Sequence, residues 1–245
     1  MLDIAASSPE PQSHVTRPAD NRLLLWTVLT LLLCLAWDAA GQDLALARWF
    51  GDTSGFAYRD HWLFSGVLHR GARRVAWALQ FALILAIWWP VGVLRLLSRR
   101  DRLFMFITSM VVLLVLTGLK SSSSTSCPWE LREFGGVAEY ISHWRWGVPD
   151  GGAGNCFPAG HASAALCFFS GYFALRHKAP RAALIWLAAA LAAGTLIGFA
   201  QQVRGAHYLS HTFWTAWFCW VVAGATMLAL ERFTTREALT PPGKS

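Results

Sequence analysis

The feature that most constrains this chain is a series of six apolar runs, each near the length at which a helix crosses a hydrocarbon core. They extend from Leu23 to Ala40, Val75 to Leu97, Leu103 to Leu119, His161 to Leu175, Ala182 to Ala200 and Tyr208 to Leu230. A helix rises about 1.5 Å per residue, so roughly twenty apolar residues span a bilayer interior. In lipid the backbone must satisfy its own hydrogen bonds, which leaves helices as the expected form. The composition agrees: 55% of the 245 residues are hydrophobic and 14% are charged, against about 25% charged in an average soluble domain. The expected fold is all-α, a polytopic bundle of six transmembrane helices.

Basic residues set the orientation. Arg17 and Arg22 precede the first run, Arg95, Arg99, Arg100 and Arg102 separate the second from the third, Arg176, Lys178 and Arg181 separate the fourth from the fifth, and Arg232 follows the sixth. Lys and Arg accumulate in cytoplasmic loops, which places both termini inside. Arg70, Arg73 and Arg74 break this pattern, because they precede the second run on what is then the outer side. The net charge of +7 is spread over short connections and forms no basic stripe, so no nucleic-acid partner is expected.

Residues 1–21 are polar and Pro-rich, with no apolar core of a cleavable signal, and are expected to form a disordered cytoplasmic tail. The membrane domain is assigned to 22–232 and a second cytoplasmic tail to 233–245. Three segments then face outward: Gly41 to Arg74, Lys120 to Gly160, and a short turn from Gln201 to His207. The first mixes Trp49, Phe50, Phe56, Trp62, Phe64 and Leu68 with charged residues, the composition of interfacial helices; an ordinary solvated loop is the alternative. Gly194 and Gly198 have a spacing that allows close helix packing. Cys34, Cys167 and Cys219 lie inside apolar runs and read as small core residues.

The chemistry-bearing residues are concentrated in the last two outward segments. Lys120 is followed by six hydroxyl residues, then Cys127 and Pro128, a stretch suited to wrapping a phosphate or, more plainly, a snorkelling lysine followed by a flexible linker. Asn155-Cys156-Phe157-Pro158-Ala159-Gly160-His161 opens an apolar run. Helix entrances present unpaired N–H groups and partial positive charge, so a phosphate oxygen is expected beside Gly160, with His161 near enough to donate a proton; an interfacial capping histidine is the alternative. Gln201 to His211 is polar and cationic. His207 and His211 are four residues apart and would share one helix face, which lets His211 orient His207. That spacing also suits a metal, but no third ligand stands at convincing spacing, and neither metal nor cofactor is expected.

These three segments, in this order, resemble the PAP2 superfamily of type-2 phosphatidic acid phosphatases, whose signatures are K-x6-R-P, P-S-G-H and S-R-x5-H-x3-D. The likeness runs from Lys120 to His211. It implies that Lys120 binds phosphate, that His161 protonates the leaving oxygen, and that His207 attacks phosphorus to form a phosphohistidine later resolved by water. It also implies a bacterial inner-membrane phosphatase with a periplasmic active site, acting on a lipid phosphate or diphosphate. The departures are Cys127 for Arg, Ala159 for Ser, Ala200 and Gln201 for Ser and Arg, and His211 for Asp. Arg204, one helical turn beyond Gln201, is the expected replacement guanidinium, with Arg132 as the other candidate, and Gln201 still offers an amide N–H.

Cys127 and Cys156 each stand beside a motif in the outward loop, where an oxidising periplasm would permit a disulfide; two free thiols are the alternative. Two other functions remain open at this stage. One is phosphoryl transfer to a second lipid through the same intermediate. The other is a catalytically silent protein that binds phospholipid through Lys120 and Arg204. A transporter would carry ionisable groups at mid-span, whereas Asp38, Lys120, His161 and His207 fall near span ends.

Overall fold

The computed structural model describes residues 18–239, with side chains for residues 21–233. The expected N-terminal tail up to residue 17 lies outside the described residues, as do 240–245 of the C-terminal tail. Helix α1 covers Pro18–Ala40 and a short α2 Gln42–Ala47. A two-stranded antiparallel hairpin follows, β1 (Gly51–Asp52) with β2 (Gly55–Phe56), and then a π-helical segment, Trp62–Gly71, that continues into α3, Ala72–Ala86. The remaining helices are α4 (Arg99–Ser121), α5 (Gly160–Leu166), α6 (Phe169–Leu175), α7 (Pro180–Val203) and α8 (Leu209–Leu239).

Among the described residues, four helical stretches are long and apolar enough to cross a membrane: Asn21–Ala40, Arg99–Ser121, Pro180–Val203 and Leu209–Phe233. They coincide with the first, third, fifth and sixth apolar runs. The other two runs do not form single long helices. The second run stops as a helix at Ala86, ahead of Trp88-Trp89-Pro90, and resumes as one 3-10 turn, Gly92–Leu96. Proline cannot donate to a helical ladder, and the carbonyls freed there are taken up by Arg102, whose guanidinium donates to Ile87 at 3.1 Å and Leu94 at 3.3 Å. The fourth run is interrupted at Cys167–Phe168. There the Phe168 carbonyl accepts both the Gly171 N–H at 2.9 Å and the Trp186 indole N–H at 2.8 Å. Gly171 makes that approach possible, since a Cβ there would lie 2.3 Å from the indole nitrogen.

The core lies where α8 meets α4, α5 and α6. Met105, Val112 and Leu116 of α4 pack with Leu166, Phe169 and Phe173 and with Cys219, Ala223 and Met227 of α8. Removing one such buried side chain to Ala typically costs 2–5 kcal/mol. Small residues set the helix separations: a Cβ on Gly194 would meet Leu166 at 2.5 Å and one on Gly198 would meet Thr212 at 2.4 Å. The Gly194–Gly198 spacing therefore serves packing inside the chain, of α7 against α5 and α8. Helix α1 lies outside this core. It is tied to α8 by the Trp217 and Trp220 indoles, which donate to Thr27.

The hairpin is the device that brings the connecting segments together. Phe56 packs on Phe134 at 4.8 Å and joins Leu131 and Tyr208 in one cluster, so the hairpin, the loop after α4 and the turn before α8 share a core. That turn passes through Gly205 at φ +72°, where a Cβ would meet Phe56 at 2.3 Å. Only glycine fits there.

Candidate functional site

Helix α4 delivers Lys120 at its last turn, and the chain then runs back beside the approach to α5. Ser123 and Thr125 carbonyls accept the N–H groups of Asn155 and Cys156, at 2.8 and 2.9 Å. Cys127 and Cys156 are joined in a disulfide. The serine tract neither wraps a cavity nor dangles as a linker: Ser126 is buried, and both its N–H and its hydroxyl donate to Asp150. Its work is to hold the loop. The Lys120 ammonium donates to the Asn155 carbonyl. Gly160 leaves room for its stem, since a Cβ there would lie 3.3 Å from Lys120 Cδ.

A cavity of about 510 Å³ opens between α3, α4 and α5. Ala76, Trp77, Met110, Leu113, Leu114, Leu116 and Ile197 form its apolar wall, and Lys120, Gly160, His161, His69 and Arg73 form its polar end. Of the residues singled out in the sequence, three therefore line the cavity. His207 lies one imidazole deeper: its ring centre is 6.1 Å from that of His161, and the residue is 3% exposed. Its N–H and that of Ala206 both donate to the Gln201 carbonyl, at 3.3 and 2.8 Å, which fixes the turn ahead of α8. Nδ1 of His207 faces Cys156 Sγ at 3.5 Å.

Burial holds the His207 imidazole well below the ordinary histidine range; Lys120, His211 and His161 add to this, and the Cys156 main chain opposes it. His207 is consequently neutral at physiological pH, the form with a free lone pair. His211 is fully buried on the first turn of α8, 5.8 Å from the His207 ring and 5.3 Å from the His143 ring, and neither of its ring nitrogens has a hydrogen-bond partner. In this structure the group closest to the inner nitrogen of His207 is Cys156.

Gln201 and Arg204 lie behind His69. The Arg204 guanidinium donates to the Arg59 carbonyl at 2.7 Å, to Gln201 Oε1 at 3.0 Å and to His69 Nδ1 at 3.0 Å. Arg132 is far from this assembly; it pairs with Glu139 at 3.0 Å in the exposed loop. His69 and Arg73 escaped the sequence reading because they belong to no motif. The available signal was the run of arginines that broke the charge pattern at 70–74.

Among the described residues, two groups bring metal-type ligand atoms within 4.8 Å of one another inside the group: Cys127, Cys156 and His207 form one, and Asp38, Asp43 and His143 the other. The sulfurs of the first are already bonded to each other, so it offers no thiolate. The carboxylates of the second already accept indole N–H groups from Trp37, Trp144 and Trp214.

A cationic, histidine-rich pocket end assembled from Lys120, Pro158 to His161 and the turn before α8 is the arrangement that the motif order implies. A sequence profile of the PAP2 superfamily matches residues 102–235, more than half of the chain. No curated protein and no solved structure matches the chain. Membership points to phosphatase or phosphotransferase activity on phosphate esters. The chain belongs to the PAP2 superfamily, whose members are in general phosphatases.

Proposed function

We propose that the protein removes phosphate from a membrane lipid phosphate or diphosphate, at the outer face of a bacterial inner membrane, through a phosphohistidine on His207. The observation that carries this reading is the shape of the cavity. It has one apolar wall, built from helices of the bundle, and one cationic end where Lys120 and His161 meet. An acyl or prenyl chain fits the first and a phosphate the second.

In this reading His207 uses Nε2, since Nδ1 is turned toward Cys156. The Nε2 lone pair attacks phosphorus, the phosphorus–oxygen ester bond breaks, and His161 gives its proton to the departing oxygen. Water then attacks the phosphohistidine, the phosphorus–nitrogen bond breaks, and His161 takes the proton. Lys120 and the N–H groups at Gly160 offset charge on the equatorial oxygens. Arg204 and Gln201 support the site from behind, and His211 backs His207 from the first turn of α8. No metal step is needed.

The test is phosphate release by the purified protein from phosphatidic acid, phosphatidylglycerol phosphate, undecaprenyl diphosphate and lipid A, comparing wild type with His207→Ala and His161→Ala. Both variants are expected to lose activity, the acid–base residue by about 10²–10⁴-fold. Equal rates in all three proteins would end the proposal. Phosphate appearing on an added lipid alcohol in place of water would turn the same intermediate toward phosphotransfer.

A further inference from the structure

We infer that the phosphate cradle is completed from outside the three motifs, by Arg73 as its second cation and His69 as a neutral N–H donor, with Arg204 as the positioning residue that fixes how His69 presents its proton. The inference rests on the phosphatase reading, and its two donors, Arg73 and His69, precede the family-matching segment 102–235.

The motifs alone leave the cradle short of donors. Cys127, Ala159, Ala200 and Gln201 stand where the family pattern has Arg, Ser, Ser and Arg. Arg204 does not refill the gap from the cavity, because its guanidinium is committed to Arg59, Gln201 and His69 and it is not part of the cavity wall. Arg73 is part of that wall. Its side chain is exposed and has no ion-pair partner among the described residues. An arginine without an ion-pair partner that lines the same cavity as Lys120 is matched to a phosphate, which accepts two parallel N–H bonds from a guanidinium.

His69 is four residues earlier, so one turn of the continuous π-segment and α3 carries both side chains to the same face. Its ring centre is 3.9 Å from that of His161, and a phosphate oxygen within reach of one imidazole is within reach of the other. Two groups meet His69 Nδ1: the Arg204 guanidinium, which can only donate, at 3.0 Å, and Gln201 Oε1, which can only accept, at 3.3 Å; the guanidinium is the shorter contact and donates to both, which leaves Nδ1 unprotonated. The His69 proton then resides on Nε2. Burial keeps the ring neutral, and Arg204, Arg70 and Arg73 act in the same direction while Gln201 opposes them. A neutral ring with a fixed Nε2–H is a hydrogen-bond donor that does not compete with His161 as the acid.

The assignment also accounts for one of the arginines that contradict the charge pattern of the loops. A guanidinium at position 73 on the outer side works against topology unless it serves the phosphate end of the cavity.

The experiment uses the full chain in detergent micelles with whichever lipid of the panel is turned over, and orthovanadate as a phosphate mimic read by thermal stabilisation. Arg73→Ala is expected to raise KM and weaken vanadate stabilisation by about tenfold or more, with Arg73→Lys intermediate. His69→Ala is expected to lower kcat by about 10–100-fold, and His69→Gln, whose amide N–H reaches the Nε2 position, to recover most of it. Arg204→Ala should behave as His69→Ala does and add little in combination with it. Arg74→Ala, off the cavity, should match wild type. The inference is overturned if Arg73→Ala and His69→Ala turn over lipid and bind vanadate like wild type while His207→Ala is inactive. Wild-type activity in His207→Ala would remove the phosphatase reading instead, and vanadate binding would still report on the cradle.

Discussion

Two buried polar clusters flank the same residue pair, Cys156-Phe157, and they differ in how fully their polar atoms are paired. On one side, Cys156 Sγ touches His207, and the surrounding groups are left unpaired: His161 Nδ1, Gln201 Nε2 and both ring nitrogens of His211 have no partner. On the other, Phe157 stacks under His143 with ring centres 4.3 Å apart, and there donors cover Asp38 Oδ2 and both Asp43 oxygens, leaving Asp38 Oδ1 without a hydrogen-bond partner. Asp38 Oδ2 accepts from Trp144 at 2.7 Å and Trp214 at 2.8 Å and faces His143 at 3.4 Å. Asp43 accepts from Trp37 at 2.9 Å and from the Ser210 N–H at 3.2 Å, as well as from the Ser210 hydroxyl. An unpaired buried polar group costs roughly 1–3 kcal/mol. Four such atoms lie around His207, and the more fully paired cluster instead fastens α1, α2 and the 140s loop to α8.

This contrast can be broken experimentally. The largest effect should be on the cavity side: His207→Ala is expected to lose at least about 10³-fold in kcat, as nucleophile removal does elsewhere, with its melting temperature near that of wild type. Loss of folding together with activity would blur the line between the two clusters.

The disulfide sits at the boundary and closes a separation of 29 residues. Cys127→Ser is expected to cost about 3 kcal/mol through loop entropy and also to lower turnover, because Cys156 no longer abuts His207 in a fixed place. Unfolding in denaturant and kcat on the same samples would check both. A variant as active as wild type would confine the disulfide to stability.

Asp43→Ala should cost about 1–3 kcal/mol, visible as a lower melting temperature, since it strands the Ser210 and Trp37 donors, while kcat falls by less than about tenfold. Inactivity without destabilisation would move Asp43 to the chemical side of the comparison.

The smallest effect concerns acid. The folded pKa of His207 lies below the unfolded value of about 6.5, so the unfolded chain takes up its proton first as pH falls. The stability from this group is complete above about pH 6.5 and declines below it, at no more than about 1.4 kcal/mol per pH unit, until the folded pKa is reached. Melting temperatures between pH 7.5 and 5.5 should fall less steeply in His207→Gln. Equal slopes would refute the assignment.

How much was legible beforehand follows from how local each signal is. The six apolar runs are local, and four of them became helices long enough for a membrane. The other two illustrate what a run of apolar residues leaves undecided: the breaks after Ala86 and at Cys167–Phe168 depend on Arg102 and Trp186, which come from other helices. The motif residues Lys120, Gly160 and His161 were legible for the same reason, each sitting at a helix end that the sequence marks.

By itself the sequence determined the family of the protein and the segments that carry its motifs, because helix length, helix ends and motif spacing are properties of neighbouring residues. Tertiary structure decided the rest. It placed Arg204 behind His69 in place of the cavity wall, set Cys156 against the nitrogen that the family pattern gives to a carboxylate partner, and brought His69 and Arg73 to His161 across about ninety residues of chain. Those juxtapositions depend on Phe56, Gly205 and Phe134 meeting in one small core. No spacing along the chain encodes such a meeting, since it exists only once distant elements have packed.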